Sequence, residues 1–280
     1  MYYAERLFQS IGMDDLGVSD HIYSCSGRAY HNRGDLNMEK KQKVKHKKLW
    51  MAVGSILLAA IMISGVFFWY VSDYYRADEK ALEVLTQDIG ITEQDQLTIL
   101  SPPEPSDMAI IFYPGAKVEA EAYLPLLDQI RQTGVTCILV HMPFHMAIFD
   151  PDAAESVMPL FPDIRHWYMA GHSMGGAMAS KFASDHEDEV EGLILLGAYI
   201  YGDYPLENTL TIYGTRDGLA AEDIDYTTNT VPIEGGNHAQ FGDYGPQKGD
   251  LPATISAQEQ QSQTVYVIDE FIKERNKEKS

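Results

Sequence analysis

Residues 168 to 183 read YMAGHSMGGAMASKFA, an apolar run that passes through Gly171-His172-Ser173-Met174-Gly175 straight into an alanine-rich stretch. A serine two residues from a glycine on either side, at a junction between strand and helix, is the setting of a nucleophile elbow. The turn is so tight that side chains at Gly171 and Gly175 would strike the neighbouring strand and helix. Ser173 is thereby pushed out at the helix N-terminus, where backbone N–H groups and the helix dipole favour a developing negative charge. A serine hydroxyl needs a base to take its proton and an acid to orient that base. In elbow proteins both follow the serine along the chain. The candidate base is His238, in the loop Ile233-Glu234-Gly235-Gly236-Asn237-His238 after a late apolar run. His186 closes the helix after the elbow, about three turns from Ser173, and reads as solvated. The candidate acid is Asp217, just past the run Leu210 to Tyr213; Asp223 and Asp225 compete but fall further into the loop.

Acyl transfer also needs two N–H donors for the oxyanion, one of them from the residue after the nucleophile, here Met174. The other is expected from the turn Pro114-Gly115-Ala116-Lys117 after an early strand, at Ala116 with Lys117 as the alternative one residue on. Lys117, His172 and Tyr199 are candidate substrate-lining residues, and Tyr201 and Tyr204 share the segment of Tyr199. No metal or other cofactor is expected: Pro143 separates His141 from His145, no H-E-x-x-H occurs, and the two cysteines, Cys25 and Cys137, form no C-x-x-C pair.

These residues need a scaffold, and the pattern between them supplies one. Strands are expected at Met108 to Tyr113, Thr136 to His141, Trp167 to Ala170, Gly192 to Leu196, Leu210 to Tyr213 and Thr230 to Ile233. Helices are expected at Glu119 to Thr133, Asp152 to Met158, Gly175 to His186 and Ser256 to Glu274. Such alternation implies an α/β fold, a mainly parallel sheet with helices on both faces. A further helix is expected at Asp78 to Ile89, followed by a proline-rich turn at Ser101 to Pro105.

Charge divides the chain near residue 72. Residues 1 to 72 hold nine Lys/Arg and six Asp/Glu, net +3, whereas residues 73 to 280 hold 12 and 35, net −23. The overall −20 argues against a nucleic-acid partner. From Leu49 to Ser72 there are 24 residues without a charge. As a helix these extend roughly 36 Å, enough for a hydrocarbon core of about 30 Å. Trp50 marks one end and Trp69, Tyr70, Tyr74 and Tyr75 the other, as aromatic interface belts do. Lys40, Lys41, Lys43, Lys45, Lys47 and Lys48 precede the run, which puts the N-terminus in the cytoplasm and the C-terminal part outside. A signal peptide cleaved on secretion is the alternative. The expected organisation is a polar basic lead at 1–48, flexible over residues 1–37, a transmembrane helix at 49–72, a juxtamembrane segment at 73–106 and the catalytic domain at 107–280. Met38 opens MEKKQKVKHKK and is a candidate start of translation.

The stretches FYPGAKVEAEAYLPL, WYMAGHSMGGAMAS, GLILLGAY, TIYGTRDG and GGNHAQFGDYGPQKGD resemble the alpha/beta hydrolase superfamily, and within it the bacterial branch called alpha/beta hydrolase fold-5. The resemblance covers about residues 107 to 273. It implies an esterase-like hydrolase with Ser173 as nucleophile, Asp217 as acid and His238 as base. Dienelactone hydrolases are similar but carry a cysteine where Ser173 stands. Many members insert a helical lid where this chain has Gly197 to Thr209, 13 residues, so an open site for small-molecule esters of modest size, without interfacial lipase behaviour, is expected. Two other readings stay open: a catalytically silent hydrolase fold that binds or scaffolds, and a thioesterase or peptidase using the same triad. The sequence says nothing about oligomeric state.

Overall fold

The apolar runs assemble as one sheet. A computed structural model describes residues 18–87 and 90–279; the first 17 residues of the expected lead, and Asp88 and Ile89 at the end of the expected juxtamembrane helix, lie outside the described residues. The chain forms two compact units, Met1–Phe68 and Trp69–Ser280.

A single helix, α1 (Val18–Ser72), contains the whole uncharged run. The flexible lead expected to residue 37 is therefore corrected from Val18 onward. No proline interrupts the hydrogen-bond ladder over these 55 residues, and Glu39 faces Lys43 one turn on at 3.7 Å. The segment Leu36–Ser72 is long and apolar enough to cross a membrane by length and composition.

In the second unit, α2 (Glu79–Gln87) leads into β1 (Ile91–Gln94), β2 (Leu97–Leu100) and β3 (Met108–Tyr113). These are followed by α3 (Leu124–Arg131), β4 (Thr136–Val140), α4 (Ala153–Val157), β5 (His166–His172) and α5 (Met174–Asp185). Then come β6 (Gly192–Leu196), β7 (Thr209–Gly214), β8 (Thr230–Ile233) and α6 (Ala257–Lys279). The eight strands lie in the order 1-2-4-3-5-6-7-8. Strands β3 to β8 run parallel, while β2 pairs antiparallel with both β1 and β4.

Two expectations change here. Residues 73–106 are not a spacer ahead of a domain starting at 107, because Leu97 and Leu100 are buried strand residues of the same sheet. The helix expected at Glu119 to Thr133 is a 3-10 turn, Ala120–Tyr123, followed by the shorter α3. Pro125 stands in the first turn of α3, where its missing N–H costs nothing.

Alternation along the central strands builds a core on each face. Ile110, Phe112, Leu139, Tyr168 and Ile194 meet Leu124, Leu127 and Ile130 of α3 and Ile268 and Ile272 of α6. Ile111, Ile138, Met169, Leu193 and Leu195 meet Ala179, Phe182 and Ala183 of α5 and Ala154 and Val157 of α4. Because β3 to β8 are parallel, the loops after β3, β4, β5, β6 and β7 all leave the same edge of the sheet. That edge is where such sheets place ligands.

Candidate active site

Ser173 joins β5 to α5 at φ 54°, ψ −126°, a left-handed conformation costly for a residue with a Cβ. The glycines around it are sterically required. A Cβ on Gly175 would lie 2.2 Å from the carbonyl oxygens of Tyr113 and Pro114, and one on Gly171 would lie 2.5 Å from the Gly175 carbonyl carbon. The Ser173 N–H donates to the Leu196 carbonyl at 3.0 Å, fastening the elbow to the end of β6. The next residue, Gly197, has φ +50°, and a Cβ there would sit 2.9 Å from His238 Nδ1 and 3.1 Å from Asp217 Oδ2. One short stretch of backbone therefore links the serine to the histidine–aspartate pair.

In that pair, His238 Nδ1 and Asp217 Oδ2 are 2.9 Å apart and both side chains are buried. Asp217 Oδ1 accepts the N–H groups of Leu219 and Ala220 at 2.8 and 2.9 Å. Burial pushes the Asp217 carboxyl up, but the His238 hydrogen bond and charge and the two N–H donors outweigh it, and the net shift is below the ordinary aspartate value. An ionised Asp217 fixes the His238 tautomer with hydrogen on Nδ1, leaving Nε2 as the basic nitrogen. That Nε2 is buried and has no hydrogen-bond partner among the described residues. Asp223 and Asp225 are exposed, and His186 is engaged with Glu155 and the Phe182 carbonyl.

Sequence reasoning missed the residues that hold this pair. Asp250 Oδ2 accepts the N–H of Ala239, next to His238, at 2.9 Å, while its Oδ1 accepts the N–H of Gly218, next to Asp217, at 3.2 Å. A single carboxylate thus ties the loop of Asp217 to the loop of His238. Gln260, buried on α6, closes a reciprocal pair with the Asn237 backbone at 2.9 and 2.8 Å. The only signal in the sequence was that Asp250 ends the stretch GGNHAQFGDYGPQKGD.

On the other side of Ser173, the turn after β3 has its N–H groups sorted by their partners. Gly115 donates to the Tyr123 hydroxyl at 3.0 Å and Lys117 donates to the His145 carbonyl at 2.7 Å. The Ala116 N–H has no hydrogen-bond acceptor among the described residues. Met174, as the first residue of α5, likewise holds an N–H that helix geometry leaves unpaired.

Lys117 is taken elsewhere: its ammonium pairs with Asp73 at 3.3 Å and lies 4.3 Å from the centre of the Tyr70 ring. His172 is fully buried and is corrected from a lining residue to an interior one. At the inward end of β5 it is enclosed by the rings of Tyr123, His238 and Phe241. Its Nδ1 lies 2.8 Å from the Tyr123 hydroxyl. Since Gly115 already donates to that oxygen, the phenol proton goes to His172 Nδ1. Burial holds His172 well below its ordinary value, hence neutral, and pushes Tyr123 up, hence protonated. Tyr199 and Tyr201 are exposed on the loop after β6, whereas Tyr204 is buried with its hydroxyl on the Val190 carbonyl.

Residues 109–262 match the model of a family described as the alpha/beta hydrolase family. No curated protein matches the sequence. Among solved structures, an alpha/beta hydrolase enzyme from the metagenome of lagoon sediments at Mar Chica, Morocco, is 14% identical over 66% of this chain and 99% of its own, with a TM-score of 0.49. Est1E from Butyrivibrio proteoclasticus is 14% identical over 66% and 97%, with a TM-score of 0.47. A dienelactone hydrolase from Anabaena variabilis is 13% identical over 64% and 90%, with a TM-score of 0.44.

Proposed function

The chain belongs to the alpha/beta hydrolase family, and from that premise we propose a membrane-anchored serine hydrolase that cleaves carboxylic esters of modest size by a Ser173–His238–Asp217 triad. The observation that carries the reading is the buried His238–Asp217 pair, with a bare Nε2, packed against the backbone that holds Ser173.

In the proposed reaction His238 Nε2 takes the Ser173 proton as Oγ bonds to the acyl carbon. The carbonyl oxygen becomes an oxyanion held by the N–H groups of Ala116 and Met174. The bond from the acyl carbon to the alcohol oxygen then breaks, and His238 gives its proton to the departing alkoxide. Water repeats the sequence on the acyl-serine, releasing the carboxylic acid and restoring the serine. Asp217 stays ionised and fixes the imidazole throughout. The loop from β6 to β7 carries only a 3-10 turn, Leu206–Asn208, which suits an open site. In this reading α1 is the anchor, the lysines before Leu49 stay in the cytoplasm, and the hydrolase unit faces outward.

The test is turnover of p-nitrophenyl butyrate by the detergent-solubilised full chain. Hydrolysis by the native protein, lost in Ser173→Ala and His238→Ala, is the expected result. A folded native protein no faster than Ser173→Ala on a panel of esters would contradict the proposal.

A further inference from the structure

We propose that the mouth of the active site rests on the bilayer, and that besides small dissolved esters it takes amphiphilic esters held in that bilayer. The inference rests on the hydrolase and anchor reading above and adds a substrate class to it.

The observation behind it is where the chain enters the second unit. The uncharged run ends at Ser72, and the residues just after it are sewn to the turn that bears Ala116. Asp73 pairs with Lys117. The Tyr75 N–H donates to the Lys117 carbonyl at 2.7 Å, and the Glu119 N–H donates to the Tyr75 carbonyl at 2.9 Å, so Tyr75 and Val118 form a parallel bridge. The Ala77 N–H donates to the Glu119 carboxylate at 2.8 Å. Tyr74 stacks on His145 at 4.0 Å, and the His145 carbonyl is the acceptor for the Lys117 N–H. Three consecutive residues beyond the apolar run thus grip the proposed oxyanion turn from both sides.

This attachment decides which edge of the sheet faces the lipid. A segment that leaves a bilayer at Ser72 and is fixed within three residues to the loop after β3 holds the C-terminal edge of the parallel strands at the membrane surface. The opposite edge, where Asp163 and Arg165 precede β5, lies a full strand length away. The edge next to the entry point also carries large apolar side chains that water solvates poorly. Ile148, on the loop after β4, is 54% exposed, and Leu251, on the loop after β8 whose Lys248 N–H donates to the Tyr75 hydroxyl, is 49% exposed. Ala147–Phe149 packs on α5, the helix that starts beside Ser173. Such a rim gains free energy by settling into the headgroup region. The net charge of −23 over residues 73–280 favours a neutral or zwitterionic surface over an anionic one.

The experiment uses the full chain in phosphatidylcholine vesicles on a Cys25→Ser background. An environment-sensitive fluorophore is attached in turn at Ile148→Cys, Leu251→Cys and Asp163→Cys, and lipids carrying a nitroxide on the acyl chain are added. The expected result is at least about twofold quenching at 148 and 251 with none at 163, since side chains settled in the interface lie within reach of shallow acyl-chain labels. Equal quenching at all three sites, or at none, overturns the proposal. In the same vesicles, hydrolysis of a long-chain ester should follow its mole fraction in the bilayer at fixed bulk concentration. Ile148→Glu should slow that reaction about tenfold while leaving p-nitrophenyl butyrate turnover unchanged. If the long-chain ester is cleaved at a rate indifferent to its surface fraction, the substrate class is wrong although the hydrolase reading stands. If butyrate is not cleaved either but the quenching pattern appears, the hydrolase reading fails and the lipid-facing edge stands.

Discussion

Two sides of Ser173 are built by different means. The base side, with the loops after β7 and β8, is held by side chains from within its own stretch of chain. Asp250 bridges Gly218 and Ala239, and Gln260 grips Asn237. The oxyanion side, the turn after β3, has one local clamp, the Tyr123 hydroxyl eight residues from Gly115, and otherwise leans on distant segments. It is held by Tyr123 from the next element, by the His145 carbonyl, and by residues 73–77 from the far end of the unit. Strain follows the same division. Lys117, Phe144 and His145 on the oxyanion side all have positive φ, as does Ser173 itself, whereas no residue but glycine does so among 214–218 and 235–239. The base side is thus a self-contained support for the buried His238–Asp217 pair. The oxyanion side is a strained turn, at a cost of about 1–3 kcal/mol per residue, kept in place by remote segments.

The contrast is broken most severely at the pair itself. Asp217→Asn should leave the fold intact and lower kcat for ester hydrolysis by about three to four orders of magnitude, because the His238 tautomer is no longer fixed. Next comes Asp250→Ala, which releases the N–H groups beside both the acid and the base. Its expected effect is a roughly 10- to 100-fold fall in kcat with little change in KM, since a small displacement of the base costs about that much. A stability loss of about 1–3 kcal/mol in denaturant unfolding should accompany it. Asp250→Asn, which keeps an acceptor, should recover part of both.

On the oxyanion side, Tyr123→Phe removes the acceptor for the Gly115 N–H and the donor to His172 Nδ1. It should cost about 1–3 kcal/mol of stability and lower kcat by a smaller factor than Asp250→Ala. A larger fall than Asp250→Ala would reverse the ranking of the two sides.

The smallest effect is one of pH. His172 is held neutral in the folded protein, far below its ordinary value near 6.5, so below that pH the unfolded chain binds a proton that the folded chain refuses. Its contribution to stability is complete above about pH 6.5 and is lost as pH falls, with a slope of up to about 1.4 kcal/mol per unit. Denaturant midpoints from pH 7 to 5 should show that slope, and His172→Asn should flatten it.

What the sequence made legible follows from how each feature is specified. The parallel strands are continuous apolar runs because both faces are covered, and Ser173, Asp217 and His238 stand at strand ends flanked by glycines that close contacts demand. These are local signals. Strands β1 and β2 escaped notice because ITEQ and LTIL are four residues each, and three of the first four are exposed. His172 read as a site residue because it adjoins the nucleophile, although the strand's alternation turns its side chain inward. Asp250, Tyr123 and the entry segment act on backbone N–H and carbonyl groups of distant loops, and nothing in residue type announces a partner chosen by tertiary folding.

The central claim is that Ser173 is activated by the His238–Asp217 pair. The most direct measurement is the mass of the full chain after incubation with a fluorophosphonate, followed by mapping of the modified peptide. A single adduct on Ser173, formed far more slowly in His238→Ala, is the predicted result. A folded native chain that gains no adduct, or gains one on another residue, contradicts it.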